Sequence, residues 1–174
     1  MLFRSKAINF GIVYGQQAFG LSQSLGIPMQ EAQALIDSYF EKYPGIRKWI
    51  EATKQEARMK GVVKTLLGRI RYIPEIQSKN GPMRSFAERT AVNTPVQGTS
   101  ADIIKAAMIQ IWRKYKFKML LQVHDDLLFE VPENELEKTA NRIKSEMENA
   151  IQLSVPIVVD MKAGKNWADM EPLS

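Results

Sequence analysis

The sequence contains no cysteine and a single histidine, His124, among its 174 residues. The first absence excludes disulfides, thiolate metal sites, cysteine nucleophiles and thiol redox couples, and makes a reducing compartment the natural home. The second excludes a multi-histidine zinc or iron centre. Any metal must then be held by carboxylate oxygens, the donors that suit Mg²⁺ or Mn²⁺. No apolar run approaches the roughly 20 residues a membrane span requires, and Met1-Leu2-Phe3 before Arg4 is too short for a signal peptide. The expectation is a cytoplasmic protein with no membrane partner. With 45% hydrophobic and 25% charged residues, the chain has the balance of a folded globular protein. Its length suits one domain or two small lobes, burying roughly 70% of the unfolded surface.

The net charge of +5 is unevenly spread. Residues 1–90 carry 14 Lys and Arg against 7 Asp and Glu, whereas residues 91–174 carry 10 against 12. A basic first part suits a polyanion, and an acidic second part suits a cation, although a solvated basic surface accounts for the same numbers.

Apolar spacing and chain breakers predict the elements. Lys6, Phe10 and Tyr14 fall at i, i+4 and i+8 on one helical face. A second helix closes at Leu25-Gly26. A third runs over 29–43, behind Pro28, with Ala34, Leu35, Tyr39 and Phe40 as its stripe. After Pro44 a fourth helix spans about 45–60, with Ile46, Trp49, Ile50 and Thr53 inward, and Gly61 ends it. Residues 62–73 read as a hairpin turning near Gly68. A helix from Met83 to about Thr94 is expected to break at Pro95, with a second helix over 96–115. Residues 117–123 and 127–131 form a hairpin with His124, Asp125 and Asp126 at its apex. A helix over 133–151 and a last strand over 156–162 complete an α+β fold.

Two groups carry candidate chemistry. Asp125 and Asp126 concentrate negative charge at the ends of apolar strands, where a cation would offset the cost of burying them. Paired aspartates are equally ordinary turn chemistry, and His124 equally a turn residue. The helix face of Lys6, Phe10 and Tyr14, with Gly11 and Gly15 interleaved, offers a phosphate contact, a stacking surface and a hydroxyl-bearing ring. Such a face could hold a nucleotide lengthwise, or could simply be core aromatics with a snorkelling lysine.

Four ordered segments favour the nucleotide reading. Residues 4–15 (RSKAINFGIVYG) resemble motif B of the family A DNA polymerases, the bacterial DNA polymerase I type, and residues 122–126 (QVHDD) resemble their motif C. Between them, residues 65–74 (TLLGRIRYIP) and 87–102 (AERTAVNTPVQGTSAD) are similar to the same family in the same order. The resemblance implies a helix-rich fingers subdomain over 1–90 and a partial palm with a small antiparallel sheet over 91–174. It implies template-dependent addition of deoxynucleotides to a primer 3′ end, with two Mg²⁺ ions (or Mn²⁺) holding the attacking and leaving oxygens.

Residue by residue, the resemblance assigns Lys6 and Asp125 to the catalytic site. Lys6 would bind the phosphates of a deoxynucleoside triphosphate, Phe10 would pack on its sugar, and Tyr14 would sit beside the nascent pair. Phe rather than Tyr at position 10 resembles members that discriminate against dideoxynucleotides. Arg69, Arg71, Arg84, Arg89, Asn93, Gln97 and His124 would face primer-template DNA. A donor from Gln97 to the minor groove would check pair geometry without reading identity. Asp125 would ligate metal, and Asp126, one methylene shorter than the family's usual Glu, would act weakly or through water. Leu2 replaces an Arg the family usually carries four residues before Lys6.

The family's other metal-binding carboxylate lies on motif A, an upstream strand with no counterpart in this sequence. The thumb and exonuclease domains likewise have none. The expectation is a polymerase piece, in a bacterial, nucleoid-associated setting, that is inactive by itself. A non-catalytic nucleic-acid-binding module is the alternative. A histidine–aspartate phosphohydrolase is disfavoured because His124 stands alone.

Overall fold

The computed structural model describes residues 2–173, with side chains from Ile8 onward. The chain divides into two compact units, Met1–Gly98 and Thr99–Ser174.

The first unit holds α1 (Leu2–Val13), α2 (Ala18–Leu25), α3 (Met29–Lys42), α4 (Pro44–Lys60), a hairpin of β1 (Val62–Lys64) and β2 (Ile70–Tyr72), and the first part of α5 (Gly81–Tyr115). Gly26 and Gly61 cap α2 and α4 in the left-handed conformation, as their positions predict. Ile12, Leu21, Ala32 and Ile36 form one buried cluster, drawing one or two residues from each of the first three helices. Ala57, Val63, Ile73, Ile76, Ala87 and Ala91 form a second, in which three alanines let the hairpin lie close to α4 and α5.

Two inward faces differ from expectation. On α3 the buried residues are Ala32 and Ile36, with Leu35, Tyr39 and Phe40 half-buried and Ala34 exposed. The i, i+4 pair facing α1 and α2 defines that stripe. On α4 the buried residues are Ile50, Thr53 and Ala57. Trp49 is exposed, because its neighbour Ile50 lies on the axis of the i, i+3, i+7 stripe.

The expected break at Pro95 does not occur: α5 runs unbroken over 35 residues with Pro95 inside it. Pro95 lacks the N–H that would bond to the carbonyl of Ala91. The flanking turn is held instead by the Thr94 hydroxyl, which donates to the Thr90 carbonyl at 2.7 Å, and by burial of Ala91, Val92 and Thr94.

The second unit holds the rest of α5, a hairpin of β3 (Lys118–Val123) and β4 (Asp126–Glu130), α6 (Leu136–Glu148), and a short pair of β5 (Lys162–Ala163) and β6 (Glu171–Pro172). Ile104, Ala107 and Ile111 of α5 are buried, as are Thr139, Ile143 and Glu146 of α6, each set at helical spacing. The buried Glu146 carboxylate accepts from Lys114 Nζ at 2.9 and 2.7 Å and from the Tyr115 hydroxyl at 3.2 Å. These donors offset its desolvation.

The expected strand over 156–162 reduces to β5. Pro156 has no N–H, and the Val159 N–H donates to the Glu148 carboxylate at 3.0 Å instead of to a strand. The helix expected over 133–151 is shorter, because Glu133–Glu135 form a 3₁₀ turn before α6. Among the described residues, no helix is long and apolar enough to cross a membrane.

Two groups make the fold alkali-sensitive. Burial, and then the neighbouring Tyr43, raise the Tyr39 hydroxyl above its ordinary 10.0. The hydrogen bond to Glu146 is the main cause raising Lys114 above 10.5. In both cases the folded state holds the proton more tightly than the unfolded chain. Their stabilisation is therefore complete below the ordinary values and is lost as pH rises through the raised ones. Urea midpoints are expected to fall on going from neutral pH to about pH 11, with Lys114→Met flattening part of the decline. An unchanged alkaline slope in that variant would remove Lys114 as a cause.

Candidate functional site

In the first unit, α1, α2 and α5 surround a cavity of about 680 Å³. Phe10, Tyr14 and Gly15 line one side, Gln16, Phe19 and Ser24 another, and Arg89 and Asn93 a third. Phe10 and Tyr14, one turn apart, face each other with ring centroids 5.8 Å apart. Phe10 is about half exposed, so an apolar ring is presented to whatever enters.

Glycine makes the cavity possible at Gly15. Its φ of +78° turns the chain out of α1, and a Cβ there would meet Arg89 Cγ at 3.3 Å. Gln16 closes the wall by donating to Ser24 Oγ at 2.9 Å, while that hydroxyl donates to the Gly20 carbonyl at 2.9 Å. Arg89 lies with its guanidinium 6.0 Å from the Phe86 ring centre. Asn93 Oδ1 is buried and accepts no hydrogen bond among the described residues. An unmet buried acceptor costs about 1–3 kcal/mol.

The structure thus brings Phe10, Tyr14, Arg89 and Asn93 together. Gln97 is one turn beyond Asn93 on α5 and exposed, outside the cavity lining. The side chain of Lys6 lies outside the described residues. Arg84 is exposed, and its guanidinium donates to the Ser78 carbonyl at 3.0 Å. Arg71 is exposed on β2. Arg69 Nη2 donates to the Gly98 carbonyl at 2.9 Å. Motif spacing did not single out Gln16, Phe19 and Ser24. The available signal was Phe19, an aromatic among polar and small residues at the start of a short helix.

The acidic hairpin belongs to the second unit. Val123 pairs with Asp126, so the turn is His124-Asp125 and Asp126 begins β4 rather than sitting in the loop. His124 takes a φ of +56°, a left-handed position at which a non-glycine residue is uncommon. Gln122 Nε2 donates to the His124 carbonyl at 3.0 Å, stabilising the turn. Asp125 and Asp126 are exposed. The desolvation argument for a cation therefore does not hold here, since water already solvates both carboxylates. Their oxygens still suit a hard divalent ion. Among the described residues, however, no group of three or more acidic or histidine side chains could hold a metal.

The first unit thus holds a cavity lined by aromatics and an arginine, and the second an exposed acidic turn. A model of DNA polymerase family A matches residues 3–169. The chain belongs to that family. It is 52% identical to DNA polymerase I of Bacillus subtilis over 171 residues, 95% of this chain and 19% of that protein. It is 51% identical to DNA polymerase I of Streptococcus pneumoniae over 168 residues, 94% of this chain and 19% of that protein. The chain thus spans about a fifth of the length of these relatives. Among solved structures, the POL domain of Pol1 from M. smegmatis, in complex with DNA primer-template and dNTP, superposes with a TM-score of 0.82 at 43% identity. That match covers 88% of this chain and 28% of that one.

Proposed function

We propose that this chain is the fingers and partial palm of a DNA-directed DNA polymerase, with the first unit as fingers and the second as palm. In that reading Lys6 holds the phosphates of a deoxynucleoside triphosphate, Phe10 packs on its sugar, and Tyr14 lies beside the pair being formed. Arg89, Asn93 and Gln97 face primer-template DNA from one side of α5, Arg71 and Arg84 contact phosphates, and His124 neighbours the primer end. The cavity that brings the Phe10 and Tyr14 rings together with Arg89 is the observation that supports this most, because it sets stacking surfaces beside a cation.

Asp125 is the residue that would hold Mg²⁺ or Mn²⁺, with Asp126 contributing weakly. Bound there, such an ion would supply Lewis-acid stabilisation of phosphoryl oxygens. The chain's one acidic pair is too small a donor set for two metal ions, so the isolated polypeptide is proposed to bind DNA without extending it.

The test is a primer-extension assay beside a fluorescence anisotropy titration, with the 174-residue chain, labelled primer-template, deoxynucleotides and Mg²⁺. Binding without extension is expected, and Tyr14→Ala or Arg89→Ala should weaken it several-fold. Absence of binding by the folded chain at low salt would overturn the DNA-contacting role. Template-dependent extension lost in Asp125→Ala would overturn the inactivity.

A further inference from the structure

The middle of α5 combines two residues that oppose helix. Pro95 removes a ladder hydrogen bond, and Gly98, three residues on, is the poorest helix former after proline. Both lie within one turn of Gln97 and two turns of Asn93. The β1–β2 hairpin docks at this place. Arg69 Nη2 donates to the Gly98 carbonyl at 2.9 Å. The base of the same turn is closed by Thr65, whose N–H donates to the Arg69 carbonyl at 3.0 Å and whose hydroxyl accepts from the Arg69 N–H at 3.1 Å. Thr65 is buried, and a Cβ on residue 98 would stand 2.5 Å from its Cγ2. Glycine is therefore required at 98 by close approach, and the hairpin uses the space to clamp the helix.

We propose that Arg69 is a positioning residue: by donating to the Gly98 carbonyl it keeps α5 continuous through its weak turn and so holds Asn93 and Gln97 in register toward DNA. The motif resemblance implies a direct phosphate contact for Arg69 instead. The DNA-facing role of Asn93 and Gln97 rests on the function proposed above, whereas the clamp itself does not.

Two readouts on the 174-residue chain separate these. The first is native-state amide hydrogen exchange. In Arg69→Ala, amides over 96–102 should exchange about tenfold faster, with those over 105–114 unchanged as an internal control of folding. Arg69→Lys should restore part of the protection. The second is the salt dependence of primer-template affinity. A lost phosphate contact lowers the slope of log K against log salt by about 1. Arg69→Ala should instead weaken binding several-fold at every salt concentration, with the slope unchanged.

A slope lower by about 1 with exchange unaltered would overturn the proposal in favour of a phosphate contact. Faster exchange with unaltered affinity would overturn the positioning role and leave a purely structural clamp. If the unsubstituted chain bound no DNA, the functional reading and with it the positioning role would fall, while the exchange arm would still report whether the clamp exists.

Discussion

Replacing Gly98 with alanine is expected to destabilise the first unit, although alanine is the better helix former. In an open helix the change would gain about 1 kcal/mol. Here the new Cβ would stand 2.5 Å from Thr65 Cγ2, which belongs to a buried, β-branched side chain with little rotamer freedom. Overpacking of this kind costs about 1–3 kcal/mol and displaces the hairpin. The confinement of Thr65 decides the sign, and the net effect is a loss.

A second substitution isolates the cause. Thr65→Ser removes the methyl and keeps the hydroxyl that accepts from the Arg69 N–H. In that background Gly98→Ala should be neutral or stabilising by up to about 1 kcal/mol. Urea unfolding of the four proteins, followed by far-UV circular dichroism, completes the cycle. A single Gly98→Ala variant more stable than its parent would show that the close approach is not what excludes a side chain there.

Affinity for primer-template DNA is expected to fall about 40-fold between roughly 50 and 200 mM salt. About three phosphate contacts, from residues such as Arg71, Arg84 and Arg89, would each contribute about 0.9 to the slope of log K against log salt. The 14 cations against 7 acidic residues in positions 1–90 make such a term plausible by charge alone. Anisotropy titrations across that range measure it. A dissociation constant that stayed level would mean that stacking on Phe10 and Tyr14, rather than phosphate contact, dominates binding.

Local patterns were legible where local physics governs. Glycine caps after Leu25 and Lys60, the helix carrying Phe10, and the turn at Gly68 all lie where short-range signals place them, whereas Tyr14 falls in the turn just after that helix. Local signals mislead where a remote partner decides. Pro95 reads as a helix end, yet packing of Ala91, Val92 and Thr94 carries the helix through it. Residues 156–161 read as a strand, but the Val159 N–H finds the Glu148 carboxylate before any ladder. Asp126 reads as loop, and the pairing of Val123 with Asp126 makes it the first residue of a strand.

The candidate site divides the same way. Phe10 and Tyr14 announce themselves by i, i+4 spacing, and the acidic pair by its place between two apolar runs. Gln16 and Ser24 did not, since their contribution is a hydrogen bond across eight positions.

By itself the sequence determined that no thiol or multi-histidine chemistry is possible, that the two parts of the chain differ in charge, and that four motifs of one polymerase family occur in order. Those properties depend only on which residues are present and how they are spaced. Tertiary structure decided that Arg89 and Asn93 meet Phe10 and Tyr14 around one cavity, and that Arg69 reaches back to the carbonyl of Gly98. These contacts join residues separated by 29 positions or more, and what selects them is the packing of α1, α2, the hairpin and α5 around alanine- and isoleucine-rich clusters. Arg69 shows the difference most clearly: its motif suggests a phosphate ligand, and only the fold shows its hydrogen bond to the Gly98 carbonyl.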